Sequence, residues 1–123
     1  MKEQAVWFLK NGYNCSQCIL KAAEKVFGIS CSKACIDMCS AVNTGFGIGG
    51  ICSVLVAGIM VFGVMFDAPT AKRLRIRLLS EHGKACPTDC GKLRNLGSKS
   101  GCEEVVGNAA GLIEEIIRSE LAG

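Results

Sequence analysis

The sequence predicts an all-α protein, a compact bundle of about five to seven helices around a central apolar helix at about 51–66. Three observations lead there. Apolar residues recur at i, i+3 and i+4 along successive segments, the spacing of one helix face. Half of the 123 residues are hydrophobic but only 6% are aromatic, so Ala, Leu, Ile, Val and Met must carry the core. Prolines number only two, and no segment alternates with the period of a strand. The length suits a single domain, 1–123, able to bury roughly two thirds of its extended surface without disulfide staples.

Residues 2–10 (KEQAVWFLK) predict a short amphipathic helix with Val6, Leu9 and Trp7 facing inward, stopped by Asn11 and Gly12. Asn14 is a good N-cap for the next helix, whose Cys15, Cys18, Ile19, Ala22, Ala23 and Val26 share one stripe, and Gly28 ends it. Ser30 or Ser32 caps a third helix running to about Ala41. Residues 44–50 (TGFGIGG) form a glycine-rich loop before the central helix. Asp67 to Thr70 is a break and restart, with Pro69 in the first turn of an amphipathic helix that Gly83 closes. His82, the only histidine, is expected as an exposed residue at that helix end. A last helix from about Cys102 to Leu121 places Val105, Val106, Ala109, Leu112, Ile113, Ile116 and Ile117 on its core face.

Charge excludes one class of partner. The formal net charge is +3 and its lysines and arginines are scattered, so no nucleic acid is expected; Lys72, Arg73, Arg75 and Arg77 read as a solvated helix face. Residues 48–66 carry no charge over 19 positions, which is long enough to span a bilayer. The glycine-rich start leaves a shorter continuous helix, so a buried central helix is favoured and no membrane span is expected. That helix is more apolar than a small monomer easily covers, and a homodimer is expected. The first residues carry no secretory h-region, so a reducing cytoplasm is the expected location.

Nine cysteines are the strongest compositional signal. Their number is odd, and lasting disulfides are rare in a reducing compartment, so metal binding or redox chemistry is the default expectation. Cys15 and Cys18 are i, i+3; Cys86 and Cys90 are i, i+4; Cys31, Cys35 and Cys39 form an i, i+4, i+8 row; Cys52 and Cys102 stand alone. Neighbours on one helix face can offer two sulfurs to one iron–sulfur or zinc centre. Cys15, Cys52, Cys90 and Cys102 all fall near expected helix N-termini, where amide groups and the helix dipole stabilise thiolates. A glycine-rich loop before Cys52 lets backbone approach such a centre closely. Cys18, Cys31, Cys35 and Cys39 read equally well as small buried hydrophobes.

Gly12-Tyr13-Asn14-Cys15, residues 46–63 (FGIGGICSVLVAGIMVFG), Cys90-Gly-Lys-Leu93 and Cys102-Glu-Glu-Val-Val106 resemble the C-GCAxxG-C-C family of redox-active, iron–sulfur proteins. The motifs keep the family's order and cover most of the chain. The resemblance implies that Cys15, Cys52, Cys90 and Cys102 are the four family cysteines and the cofactor-binding, metal-ligating set. Around Cys52 the sequence departs from the pattern: Cys52 to Gly58 reads CSVLVAG, with its glycine shifted by one. Cys18, Cys35, Cys39 and Cys86 are possible additional ligands. Cys86 can replace Cys90, and eight of the nine cysteines can serve two clusters or a larger one.

The expected function is a helical redox protein that binds an iron–sulfur cluster, [4Fe–4S] or [2Fe–2S], for electron transfer or small-molecule reduction with a redox partner protein. Two alternatives stay open: a thiol–disulfide oxidoreductase using Cys15/Cys18 or Cys86/Cys90, and a zinc-stabilised interaction module.

Overall fold

The computed structural model describes residues 1–43, 48, 50–85 and 99–123, and the side chains of these residues except 85 and 99–102. Six helices lie among them: α1 (Lys2–Lys10), α2 (Cys15–Phe27), α3 (Lys33–Met38), α4 (Ser53–Met65), α5 (Ala68–Ala85) and α6 (Lys99–Ala122). No strand occurs among the described residues, so the fold is all-α as the periodicity predicts.

Local chemistry sets the ends of α2. The Asn14 side chain accepts from the backbone N–H of Ser16 and Gln17, while Gln17 Oε1 accepts from the Asn14 N–H, a reciprocal capping box. At the far end Gly28 adopts φ 69°, a left-handed conformation that costs a glycine little. Ser32 caps α3, accepting from the Cys35 N–H at 3.2 Å. Asp67 starts α5 by accepting from the Thr70 N–H at 3.0 Å, with Pro69 in the first turn.

α4 is central. It packs against α2, α5 and α6, while α1 bridges α2 and α6. Val54, Leu55, Ala57, Gly58, Val61 and Phe62 are buried on it. They meet Ile19, Ala22 and Ala23 of α2, Leu74 and Leu78 of α5, and Val106, Ile113, Ile116 and Ile117 of α6 in one core. A side chain at position 58 would not fit: an added Cβ would lie 2.6 Å from Ile113 Cδ1 and 3.2 Å from Leu78 Cδ2. Thirteen residues of helix span about 20 Å, well short of a bilayer core of about 30 Å. Among the described residues no helix is long and apolar enough to cross a membrane.

Several details differ from the sequence-based expectations. On α1 the inward residues are Ala5 and Phe8, with Val6 and Leu9 partly buried and Trp7 exposed. α1 lies across the edge of α2 and α6, which rotates the buried stripe by one residue. α3 ends at Met38 rather than near Ala41, because Cys39 already leaves the helix as its C-cap. α5 continues through Gly83 to Ala85, and His82 is 3% exposed. His82 extends the inward stripe of Ala71, Leu74 and Leu78 by one more turn, so it belongs to the interior rather than to a solvated end. α6 starts at Lys99, which places Cys102 in its first turn. Nor is α4 covered on all sides: Met60 and Val64 face outward.

Candidate functional site

The starts of α2 and α4 meet. Cys15 is the first residue of α2, Cys52 is the N-cap of α4, and Ser53 follows as the first residue of α4. Cys15 Sγ and Ser53 Oγ are 2.7 Å apart and share a hydrogen bond. One turn along α2, Cys18 is fully buried and its thiol donates to the Cys15 carbonyl at 3.0 Å. Burial pushes the Cys18 thiol up to about 12, the charge that a Cys15 thiolate would carry adds to this, and Cys52 contributes in the same direction. Cys18 thus lies near enough to both Cys15 and Cys52 for a charge on either to disfavour its own. Cys15 and Cys52 both stand at helix N-termini, where the helix dipole places a partial positive charge.

The local sequence explains why Cys15 stands there. Gly12 takes φ 100°, which turns the chain out of α1. The Tyr13 N–H bonds the Phe8 carbonyl at 3.2 Å, and its ring meets the Phe8 ring edge-on at 5.4 Å. Asn14 then caps α2 and presents Cys15 on the first turn.

A second group of thiols lies on the segment that follows α2. Cys35 is exposed, Cys39 is 3% exposed, and Cys31 is half-buried. Burial raises the Cys31 thiol, with the charges of Glu24 and then Cys35 adding to it. Burial also raises Cys39; the Ser16 hydroxyl opposes that shift and Cys35 adds to it. This segment is tied to the first turn of α2. The Cys39 carbonyl accepts from Asn14 Nδ2 at 2.9 Å and Ser16 Oγ at 3.4 Å, and Gln17 Nε2 donates to the Ile36 carbonyl at 2.9 Å.

Of the sequence-predicted set, Cys15 and Cys52 are brought to one place, with Cys18 beside them. Cys86 and Cys90 lie outside the described residues, and of Cys102 only the helical backbone is described. Among the described residues no group of three or more His, Cys, Asp or Glu side chains could hold a metal ion. Ser53 was not anticipated from the sequence. Its only signal is a position after Cys52, and its partner Cys15 is 38 residues away.

A family model described as "Putative redox-active protein (C_GCAxxG_C_C)" matches residues 13–116. The chain belongs to this family. The family's description supports a redox role, and the many cysteines fit one. In this member of the C_GCAxxG_C_C family the Gly-Tyr-Asn-Cys stretch is a turn, a ring contact and a helix cap in succession. Cys52 opens the central helix, and at Gly58 α4 packs against Leu78 of α5 and Ile113 of α6 with no room to spare for an added Cβ. No curated protein and no solved structure matches the chain.

Proposed function

We propose that the chain is an iron–sulfur redox protein whose cluster is held by Cys15 and Cys52 together with Cys90 and Cys102. The observation that carries this reading is the 2.7 Å contact between Cys15, the first residue of α2, and Ser53, which directly follows Cys52 at the start of α4. The donor chemistry fits such a group: thiolates from separate elements, set where helix dipoles favour negative charge. Bound there, a cluster would supply a reversible one-electron couple. The protein's own part is to present the Cys15 and Cys52 sulfurs, to donate a hydrogen bond from Ser53 Oγ to the Cys15 sulfur, and to keep water out with the core of α4. Cys18, buried and donating to the Cys15 carbonyl, stays a neutral thiol beneath the ligands. The same reading has the protein exchange electrons with a partner protein, and pair with a second copy through the outward face of α4.

Anaerobic purification tests it. The expected result is a coloured protein containing iron and acid-labile sulfide, with both lost in Cys15→Ala and Cys52→Ala variants that keep their helical circular dichroism. Colourless protein free of iron overturns the reading. Zinc in its place would point to the structural module, and reversible loss of Cys15 and Cys18 thiols on mild oxidation, without iron, to disulfide exchange.

A further inference from the structure

We propose that Cys35 and Cys39 form a second redox site, separate from the family cysteines, that exchanges with small-molecule disulfides: Cys35 attacks and Cys39 resolves. Three observations on α3 support it. The two residues are four apart on α3 and its C-cap, where Cys39 keeps near-helical φ −90° and ψ 5°. Helix geometry then puts their Cα atoms about 6 Å apart, inside the range of about 4.4–6.8 Å that a disulfide spans. Their Cβ atoms, about 5–6 Å apart, must close to about 4 Å by unwinding the last turn of α3, where the Cys39 N–H has already left the α-helical pattern. Their exposures differ in the sense an exchange pair needs. Cys35 is open to solvent, whereas Cys39 is only 3% exposed, so an incoming disulfide reaches Cys35 first. The attacking thiol also has a hydroxyl partner: Ser32 Oγ donates to Cys35 Sγ at 3.3 Å.

Cys31 is the less suited resolving thiol. Its N–H is held by Glu24 Oε2 at 2.9 Å, and its sulfur is directed to the Leu20 carbonyl at 3.8 Å. The Glu24 carboxylate beside it also opposes a thiolate there.

The chemistry balances with a low-molecular-weight disulfide, R–S–S–R, as oxidant. The Cys35 thiolate attacks one sulfur, forming a Cys35–S–S–R bond and releasing R–S⁻, which takes up a proton. The Cys39 thiolate, its proton lost to solvent, then attacks Cys35 Sγ, forming the Cys35–Cys39 bond and releasing the second R–S⁻. Two protein thiols are oxidised and one small disulfide is reduced to two thiols. α3 is only six residues long and is anchored by the buried Ile36, by Gln17 Nε2 on the Ile36 carbonyl, and at its C-cap by Asn14 and Ser16 on the Cys39 carbonyl, so the sulfurs are drawn together within this one short segment.

The test is to react the full chain, reduced under anaerobic conditions, with oxidised glutathione and to map the products by peptide mass spectrometry. The wild type should yield a Cys35–Cys39 link with two glutathiones released. Cys39→Ser should trap glutathione on Cys35, and Cys35→Ser, an exposed change with no core to disturb, should slow the reaction of this segment at least tenfold. Iron and sulfide content, measured on the same samples, should be the same in all three, which separates this site from the cluster. A Cys35→Ser protein forming adducts on this segment at the wild-type rate overturns the proposal, as does a wild-type link through Cys31 instead of Cys39.

Discussion

At Cys15 a single side chain stands between two chemistries, since its sulfur either gives a proton to Ser53 Oγ or, as a thiolate, receives one from it. A hydrogen bond to a ligating sulfur stabilises the reduced, more negative state of a centre and raises its potential. Taking such a bond as worth about 1 kcal/mol, Ser53→Ala should lower the potential of the iron–sulfur form by roughly 40 mV, read by redox titration. Cys18 makes a different prediction. Its folded thiol is raised to about 12 from 9.0, so between those values the unfolded chain loses a proton that the folded chain keeps. Stability from this group is therefore complete below pH 9 and is lost as pH rises toward 12, by up to about 1.4 kcal/mol per pH unit. Urea unfolding at stepped alkaline pH should show that slope in the wild type and a shallower one in Cys18→Ala.

Among the elements, the helices meet where the chain has no side chain to spare. Gly58 in α4 faces Ile113 and Leu78, both fully buried. Gly111 in α6 faces nothing within 4 Å. Alanine gains about 1 kcal/mol over glycine within a helix, whereas overpacking a closed core costs about 1–3 kcal/mol. Gly111→Ala should therefore raise the unfolding midpoint, and Gly58→Ala should lower it by as much as about 2 kcal/mol of stability, both measured by urea denaturation. The elements also show what was readable in advance. The ends of α1 and α2 and the Asn14 cap follow from adjacent residues, and the structure has them at those places. The face that α1 buries does not follow, because two adjoining stripes of a short, weakly amphipathic helix compete and its neighbours choose Ala5 and Phe8.

For the whole molecule, the question is what lies over α4. Its inner side is covered by α2, α5 and α6, while Met60 and Val64 stay 44% and 65% exposed on the other. The proposed pairing of two copies places this uncharged strip against itself. Val64→Glu would put a charge in that contact without touching the core, and should convert a dimer to a monomer by light scattering while leaving the helical spectrum unchanged. A wild type that runs as a monomer at high concentration refutes the pairing.

By itself the sequence determined the helical class, the Asn14 and Gly28 caps of α2, the apolar centre and the cysteine order that marks the family, since all of these rest on spacing along the chain. Only the tertiary structure decided which thiols become neighbours. Cys15 meets Cys18 by helical spacing, but it meets Ser53, the residue after Cys52, only because α2 and α4 pack together. His82 shows the same limit: a polar residue near a helix end reads as exposed until the packing of α5 turns it inward. Local signals act over a turn of helix, whereas burial and thiol contacts are properties of a packed core that no short stretch of sequence contains.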